Sequence, residues 1–315
     1  MFDSKKPKIL ITGGAGYIGT VLIQMFLKER FDITILDNFL FNQKKILKKI
    51  AKNKINIIEG DVRDKYLIKK TVSKFDTIIP LAAIVGAPLC KKNTKLTKSV
   101  NVSSINSLVK NLSKNQRIIV PTTNSGYGIG DKDTYCTEKS ALRPVSLYGK
   151  TKVEAEKIIL GHQNSCSLRL ATVFGTSPRM RRDLLVNDFV YKAFKYKKIT
   201  LFEGHFRRNY IHINDVCRVF LFALKNFKKF RNNVFNVGLS SANLTKLQLC
   251  KKIKKYVPSL NIEVDEFAKD PDKRDYIVSN KKLENTGFKT KFSINYGIVE
   301  LLKYYRKNKK IYTNV

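Results

Sequence analysis

Tyr148 and Lys152 stand four residues apart in the run Pro144-Val145-Ser146-Leu147-Tyr148-Gly149-Lys150-Thr151-Lys152. On a helix, that spacing puts both side chains on one face. A free phenol ionises near pH ~10 and is a poor base at neutral pH. A neighbouring ammonium favours the phenolate, which can then accept a proton from an alcohol. Taken alone, the pair is ordinary surface decoration, and what precedes it in the chain decides its meaning.

Upstream, Ile9-Leu10-Ile11-Thr12-Gly13-Gly14-Ala15-Gly16-Tyr17-Ile18-Gly19 reads as a strand ending in a glycine-rich turn that opens a helix. Gly13 and Gly16 permit a tight turn and close approach of backbone to a pyrophosphate. The helix start supplies free N–H groups and the positive end of a dipole. Gly19 lets the helix pack on the strand. Such a turn is weak evidence by itself, but here an acid follows at the expected distance, Asp37 at the end of Ile35-Leu36-Asp37. A carboxylate there accepts hydrogen bonds from ribose hydroxyls and repels a 2′-phosphate, so NAD is the expected cofactor. With NAD beside it, the Tyr148–Lys152 pair is suited to removing a hydroxyl proton while hydride leaves the same carbon.

Elements that could position these groups follow from the alternation of apolar runs and amphipathic segments. Strands are expected at Lys8–Thr12, Asp32–Asp37, Ile55–Glu59, Thr77–Leu81, Arg117–Pro121 and Ser167–Ala171, with helices at Tyr17–Glu29, Asp64–Ser73 and Val145–Leu160. The later chain suggests helices at Asp183–Lys195, from Asp215, at Lys246–Tyr256 and at Ser293–Arg306, with short strands at Thr200–Phe202, Tyr210–Ile213 and Val234–Val237. The expected class is α/β: a Rossmann-type doubly wound parallel sheet with a smaller interleaved α/β lobe. Residues 1–175 would form the nucleotide-binding domain, with segments around 210–240 returning to it, and 176–315 mainly the second lobe.

Bulk properties narrow the remaining classes. The five cysteines are scattered without a C-x-x-C pair, which suits a reducing compartment and argues against a disulfide frame or a zinc site. Only three histidines are present, so no metal is expected. No apolar run is long enough for a membrane span and no signal peptide is visible, so the expected location is cytoplasmic. The net charge of +36 raises the question of a polyanionic partner. The charge is lysine-weighted and spread along the chain, which fits a solvated surface better than a nucleic-acid face. The arginines are more clustered: Arg169, Arg179, Arg181, Arg182, Arg207 and Arg208 fall within one region, and guanidinium forks suit phosphate.

From about Lys8 to Tyr305 the chain resembles the extended short-chain dehydrogenase/reductase family of nucleotide-sugar epimerases, dehydratases and 4-dehydrogenases. The motifs that carry the resemblance are the glycine turn, Gly60-Asp61-Val62, Leu81-Ala82-Ala83, Tyr148 with Lys152, and Arg208-Asn209-Tyr210-Ile211-His212-Ile213-Asn214-Asp215-Val216. The resemblance implies that Tyr17, Ile18, Asn38, Leu81, Ala82 and Ala83 help bind the cofactor, that Asp61 and Val62 touch the adenine, and that Lys152 also holds the nicotinamide ribose. It implies a third catalytic residue, Thr123, in Thr123-Asn124-Ser125-Gly126-Tyr127-Gly128, with Ser125 as the fallback. The 4,6-dehydratases usually carry Asp-Glu directly after that threonine. Asn124 and Ser125 replace them here, which demotes dehydration and leaves oxidation or epimerisation.

For the substrate, the resemblance implies a nucleoside diphosphate held by Arg208 and Arg274, with Asn187, Arg179 and Arg181 forming part of a lid. Four stretches, Pro80 to Cys90, Thr123 to Gly130, Ser177-Pro178-Arg179-Met180-Arg181 and Asp270 to Tyr276, are similar to the GDP-manno-heptose 4-dehydrogenases of surface-polysaccharide synthesis. That likeness implies NAD-linked oxidation at C-4 of a GDP sugar to a 4-keto sugar. Galactose epimerases commonly place a substrate-binding Asn where this chain has Thr172. The competing readings are a 4-epimerase, a non-catalytic NAD sensor, and, on charge alone, a nucleic-acid binder. The family commonly forms homodimers through the helix bearing Tyr148, and Val153, Ile158, Ile159 and Leu160 are compatible with such a face or with a core.

Overall fold

The computed structural model describes residues 6–29, 31–51, 54–265 and 274–308. The part of the Asp270–Tyr276 stretch before Arg274 lies outside the described residues. The chain begins with β1 (Lys8–Thr12), α1 (Tyr17–Phe26), β2 (Asp32–Asp37), α2 (Lys44–Ala51), β3 (Asn56–Glu59), α3 (Lys65–Val72) and β4 (Thr77–Pro80). Three short helices follow: α4 (Ala87–Lys92), α5 (Thr94–Lys98) and α6 (Ser104–Lys110), with a π-helical turn joining the last two. Then come β5 (Arg117–Thr123), β6 (Tyr135–Cys136), α7 (Leu147–Leu160), β7 (Ser165–Leu170) and β8 (Thr172–Phe174).

The later chain contributes α8 (Leu185–Tyr196), β9 (Lys198–Phe202), β10 (Arg207–His212), α9 (Ile213–Lys225), α10 (Phe227–Phe230) and β11 (Asn233–Val237). After β12 (Asn243–Thr245) and α11 (Lys246–Lys254) come β13 (Asn261–Asp265), β14 (Ile277–Val278), α12 (Lys281–Glu284) and α13 (Ile294–Lys307).

Seven strands form one parallel sheet in the order β11-β7-β5-β4-β1-β2-β3. Alternating residues feed two cores, one on each face: Ile9, Ile11, Ile79 and Ile119 pack on one side, and Leu10, Ile78, Ile118 and Val120 on the other. Burial on both faces explains why these strands read as continuous apolar runs. The strand order reverses between β1 and β4, and in such sheets ligands bind beyond the strand carboxyl ends at that point. The fold is a Rossmann-type doubly wound sheet.

The outer chain is stitched to this sheet. β11 pairs with β7, and α9 packs against α1. β10 lies between β8 and the antiparallel β12, while β9 pairs with β13 and β6 with β14. Tyr17 donates to the carbonyl of Gly175 (2.7 Å), and Ser177 donates back to the carbonyl of Tyr17 (2.8 Å).

Several boundaries differ from the sequence pattern. β5 runs on to Thr123, past the expected end at Pro121. Proline lacks an N–H, but β5 pairs with β4 only at Arg117 and Ile118, so the β4 side needs no donor from Pro121. The helices between Ala87 and Lys110 carry little apolar periodicity, being rich in Lys, Ser, Asn and Thr, and no helix was expected there. On α7, Ile159 is fully buried and Ile158 packs against the same core, so the outward face presents Lys150, Glu154 and Lys157.

Asp215 is the fully buried anchor of the C-terminal segment. Its carboxylate accepts from the backbone N–H of Lys291 (2.9 Å) and Phe292 (2.9 Å) and pairs with Arg218. Asp215→Ala leaves these donors and Arg218 without their acceptor and is expected to destabilise the protein by about 3 kcal/mol. Denaturant unfolding checks this.

Candidate active site

The glycine turn is built for close approach. Gly13 has φ +70°, and a Cβ there would lie 2.5 Å from the backbone nitrogen of Ala82. A Cβ on Gly19 would lie 2.4 Å from the carbonyl oxygen of Gly14, so α1 can pack on the turn only without one. α1 starts at Gly16 with no side-chain cap and no acid in its first turn, leaving its amide donors for an anion.

Asp37 is held in place by N–H groups of Ala15 (3.0 Å to Oδ2) and Phe39 (2.8 Å to Oδ1), while burial raises its pKa. Asp61 accepts from Arg63 Nε (2.9 Å) and Asn38 Nδ2 (3.0 Å). The hydrogen bonds from Arg63, above all, hold the Asp61 carboxyl at about 2. Glycine turn, uncapped helix and oriented Asp37 together fit a dinucleotide, with Val62 and Leu81–Ala83 completing the wall.

Across this wall lies the face of α7 bearing Tyr148 and Lys152. Ser146 caps the helix by accepting from the Gly149 N–H (3.1 Å). Tyr148 is half-buried and turns its exposed part into the cleft, while Lys152 is buried. Thr123, ending β5, lines the same cleft. It also donates to Ser125 Oγ (2.9 Å), to which Arg274 donates as well.

Burial pushes the Tyr148 phenol up to about 12, and nearby Cys90 adds to this, while Arg274, Arg181 and Thr123 oppose it. Burial brings the Lys152 ammonium down to about 8, against the pull of Glu156. The protein's own cations therefore moderate a phenol that desolvation has made reluctant to ionise.

Thr123, Ser125, Tyr148 and Lys152 line one cleft of about 520 Å³ together with Gly13, Gly16, Asp37 and Asp61. Arg179, Arg181, Arg208 and Arg274 line it too. Arg181 pairs with Asp183, and Arg208 lies over the Tyr276 ring at 5.9 Å. Two expected site residues stand outside it. Asn124 is fully buried and does not reach the cleft. Asn187 is also fully buried, and its side chain joins the N–H of Gly175 (3.0 Å) to the carbonyl of Arg181 (2.9 Å). It braces the arm that carries the arginines.

Thr172, at the start of β8, does line the cleft, as do Asp183 and Tyr276, and also Phe41 and Lys246, which no motif had singled out. For Lys246 the signal at hand was the capping box Thr245-Lys246-Leu247-Gln248, which marks a helix start and says nothing of a cleft. Among the described residues, no group of three or more His, Cys, Asp or Glu could hold a metal ion, and no helix is long and apolar enough to cross a membrane.

A Rossmann-type sheet with a dinucleotide wall facing a Thr–Tyr–Lys set defines an NAD-dependent enzyme acting on an alcohol or ketone. The chain belongs to the NAD dependent epimerase/dehydratase family, whose model matches residues 9–238. A UDP-glucose 4-epimerase of Lactobacillus helveticus is 27% identical over 274 residues, covering 78% of this chain and 81% of the relative. UDP-glucuronic acid decarboxylase 1 of Arabidopsis thaliana is 26% identical over 316 residues, covering 96% and 70%. The crystal structure of a UDP-glucuronic acid 4-epimerase from Bacillus cereus, in complex with UDP-glucuronic acid and NAD, superposes with a TM-score of 0.83. It is 22% identical, over 95% of this chain and 99% of that one. The protein is accordingly an NAD-dependent enzyme of the nucleotide-sugar epimerase/dehydratase type.

Gly13→Ala would place a methyl group against the Ala82 backbone at a φ that costs an L-residue about 1 kcal/mol or more. NADH affinity, followed by fluorescence titration, is expected to fall by about tenfold or more while far-UV dichroism stays unchanged.

Proposed function

We propose that the enzyme oxidises the C-4 hydroxyl of a nucleotide sugar to a 4-keto sugar, with a GDP-linked manno-heptose as the substrate. The observation that carries this reading is the cleft itself: Thr123, Tyr148 and Lys152 line it together with Arg179, Arg181, Arg208 and Arg274, and Asn124 and Ser125 bring no carboxylate. Bound NAD supplies the hydride acceptor and a positive charge beside the phenol.

Tyr148 takes the proton of the C-4 hydroxyl, and Thr123 orients the same oxygen. Lys152 donates to the cofactor ribose and stabilises the phenolate. Arg208 and Arg274 grip the diphosphate, with Arg179 and Arg181 closing over it. Asn124 and Ser125 supply no acid or base for removing water across C-5 and C-6, so the reaction stops short of dehydration.

The GDP-heptose preference rests on the sequence stretches from Pro80 to Cys90, Thr123 to Gly130 and Ser177 to Arg181. A second reading, 4-epimerisation, is favoured by the epimerase relative from Lactobacillus helveticus. It uses the same three residues, with rotation of the keto sugar before hydride returns.

Purified protein with NAD is offered GDP-manno-heptose, GDP-mannose and UDP-glucose in parallel. Reduced nicotinamide absorbance and the mass of the sugar are followed. GDP-manno-heptose is expected to lose two hydrogens, and Tyr148→Phe to slow this by about a hundredfold or more. An unchanged mass with a new diastereomer selects the epimerase. No turnover of a sugar nucleotide that demonstrably binds would overturn the enzymatic assignment.

A further inference from the structure

α7 carries a third polar residue on the face that bears Tyr148 and Lys152. Glu156 lies one helical turn beyond Lys152, so the three side chains share a stripe. It is 4% exposed, and its carboxylate is fully engaged. Oε2 accepts from Thr122 Oγ1 (2.9 Å) and Ser167 Oγ (2.6 Å), while Oε1 accepts from Arg169 Nη2 (2.6 Å) and Nε (3.1 Å). Arg169 continues the network to the Tyr127 hydroxyl (3.0 Å), which donates to Asn236 Oδ1 (2.7 Å). As a device for stability alone such a pair is a poor choice, because well-packed apolar residues often do as well or better. Its position suggests another use. Thr122 directly precedes Thr123, and Glu156 follows Lys152 by a single turn.

We propose that Glu156 is a positioning residue for the Tyr148–Lys152 pair: its buried carboxylate, one turn beyond Lys152, is the counter-charge on that helix face, and its bond to Thr122 fixes α7 in register with the strand end that bears Thr123. The proposal rests on reading Lys152 as the residue that holds the nicotinamide ribose. Desolvation brings Lys152 to about 8, and Glu156 is the group that pulls it upward.

The elements packed around α7 offer no other nearby carboxylate. β7 presents Arg169, which is tied to Glu156, and β5 presents Thr122 and Thr123, with Arg117 stacked on Phe227 (5.1 Å) at its far end. Tyr127 faces Arg169, and Cys90 on α4 faces Tyr148. Lys91, Lys92, Lys95, Lys98 and Lys110 of α4, α5 and α6 point to solvent. Without the Glu156 charge, Lys152 keeps the desolvation penalty and loses its counter-charge, so it deprotonates at lower pH.

The test is the pH dependence of NADH association, measured by nicotinamide fluorescence on the full chain, which requires no sugar substrate. In the wild type the association constant is expected to hold at neutral pH and to bend downward near the Lys152 value of about 8. Lys152→Met is expected to abolish the bend, which assigns it. Glu156→Gln is expected to move it down by about one pH unit or more. Because that variant leaves Arg169 buried without a partner, Glu156→Gln/Arg169→Met is made alongside it, replacing both members of the pair; it too is expected to lower the bend. The proposal is overturned if the bend keeps its wild-type position in whichever of the two folds, if it survives in Lys152→Met, or if the wild type shows none. Since sugar turnover is not read, failure of the substrate assignment leaves this result standing.

Discussion

One face of α7 lies against β5 and β7, and that contact sets the charge state of both residues the helix brings to the cleft. Burial drives the Tyr148 phenol upward and the Lys152 ammonium downward, so desolvation disfavours the charged form of both groups. The opposing charges come from separate parts of the chain: Arg181 from the arm before α8, Arg274 from the segment before β14, and Glu156 from α7 itself. In the proposed reaction, the ionisation of this pair is a balance between a dry helix face and distant charges, and the outer lobe takes part in it.

That participation depends on the stitching between lobes. Tyr17 belongs to the glycine turn, yet its hydroxyl reaches Gly175, and Asn187 joins Gly175 to Arg181. The cofactor wall and the arginine arm therefore share a backbone junction. At the other end, Asp215 holds Lys291 and Phe292, while the side chain of Tyr305 on α13 donates to the carbonyl of Asn187 (2.9 Å). Few of these links join charged surface groups. The lysine excess that dominates the composition lies elsewhere, and the cleft draws mainly on the less common arginines.

Where the chemistry is local, it was legible in the sequence. The glycine turn, Asp37 and the Tyr148–Lys152 spacing each lie within one or two adjacent elements, and all of them line the cleft. So do the four arginines. The helices between Ala87 and Lys110 were not legible, because weak helix formers there take their order from packing against α7 and α3. Asn124 and Asn187 lie beside cleft residues in sequence but turn inward, a choice of direction that neighbouring motifs do not encode. Lys246 and Phe41 needed the tertiary fold, since the capping box around Lys246 marks only a helix start and Phe41 lies in no motif. Arg169 stood out as one of the clustered arginines, but Glu156 did not, and only the contact between α7 and β7 joins them.

The central claim is that hydride leaves C-4 of a nucleotide sugar under the action of Tyr148. A GDP-manno-heptose carrying deuterium at C-4, mixed with one equivalent of enzyme and NAD and quenched within a single turnover, tests it directly. The deuterium is expected on the nicotinamide ring, and Tyr148→Phe is expected to prevent the transfer. Deuterium retained on a sugar that has nonetheless been converted would contradict it.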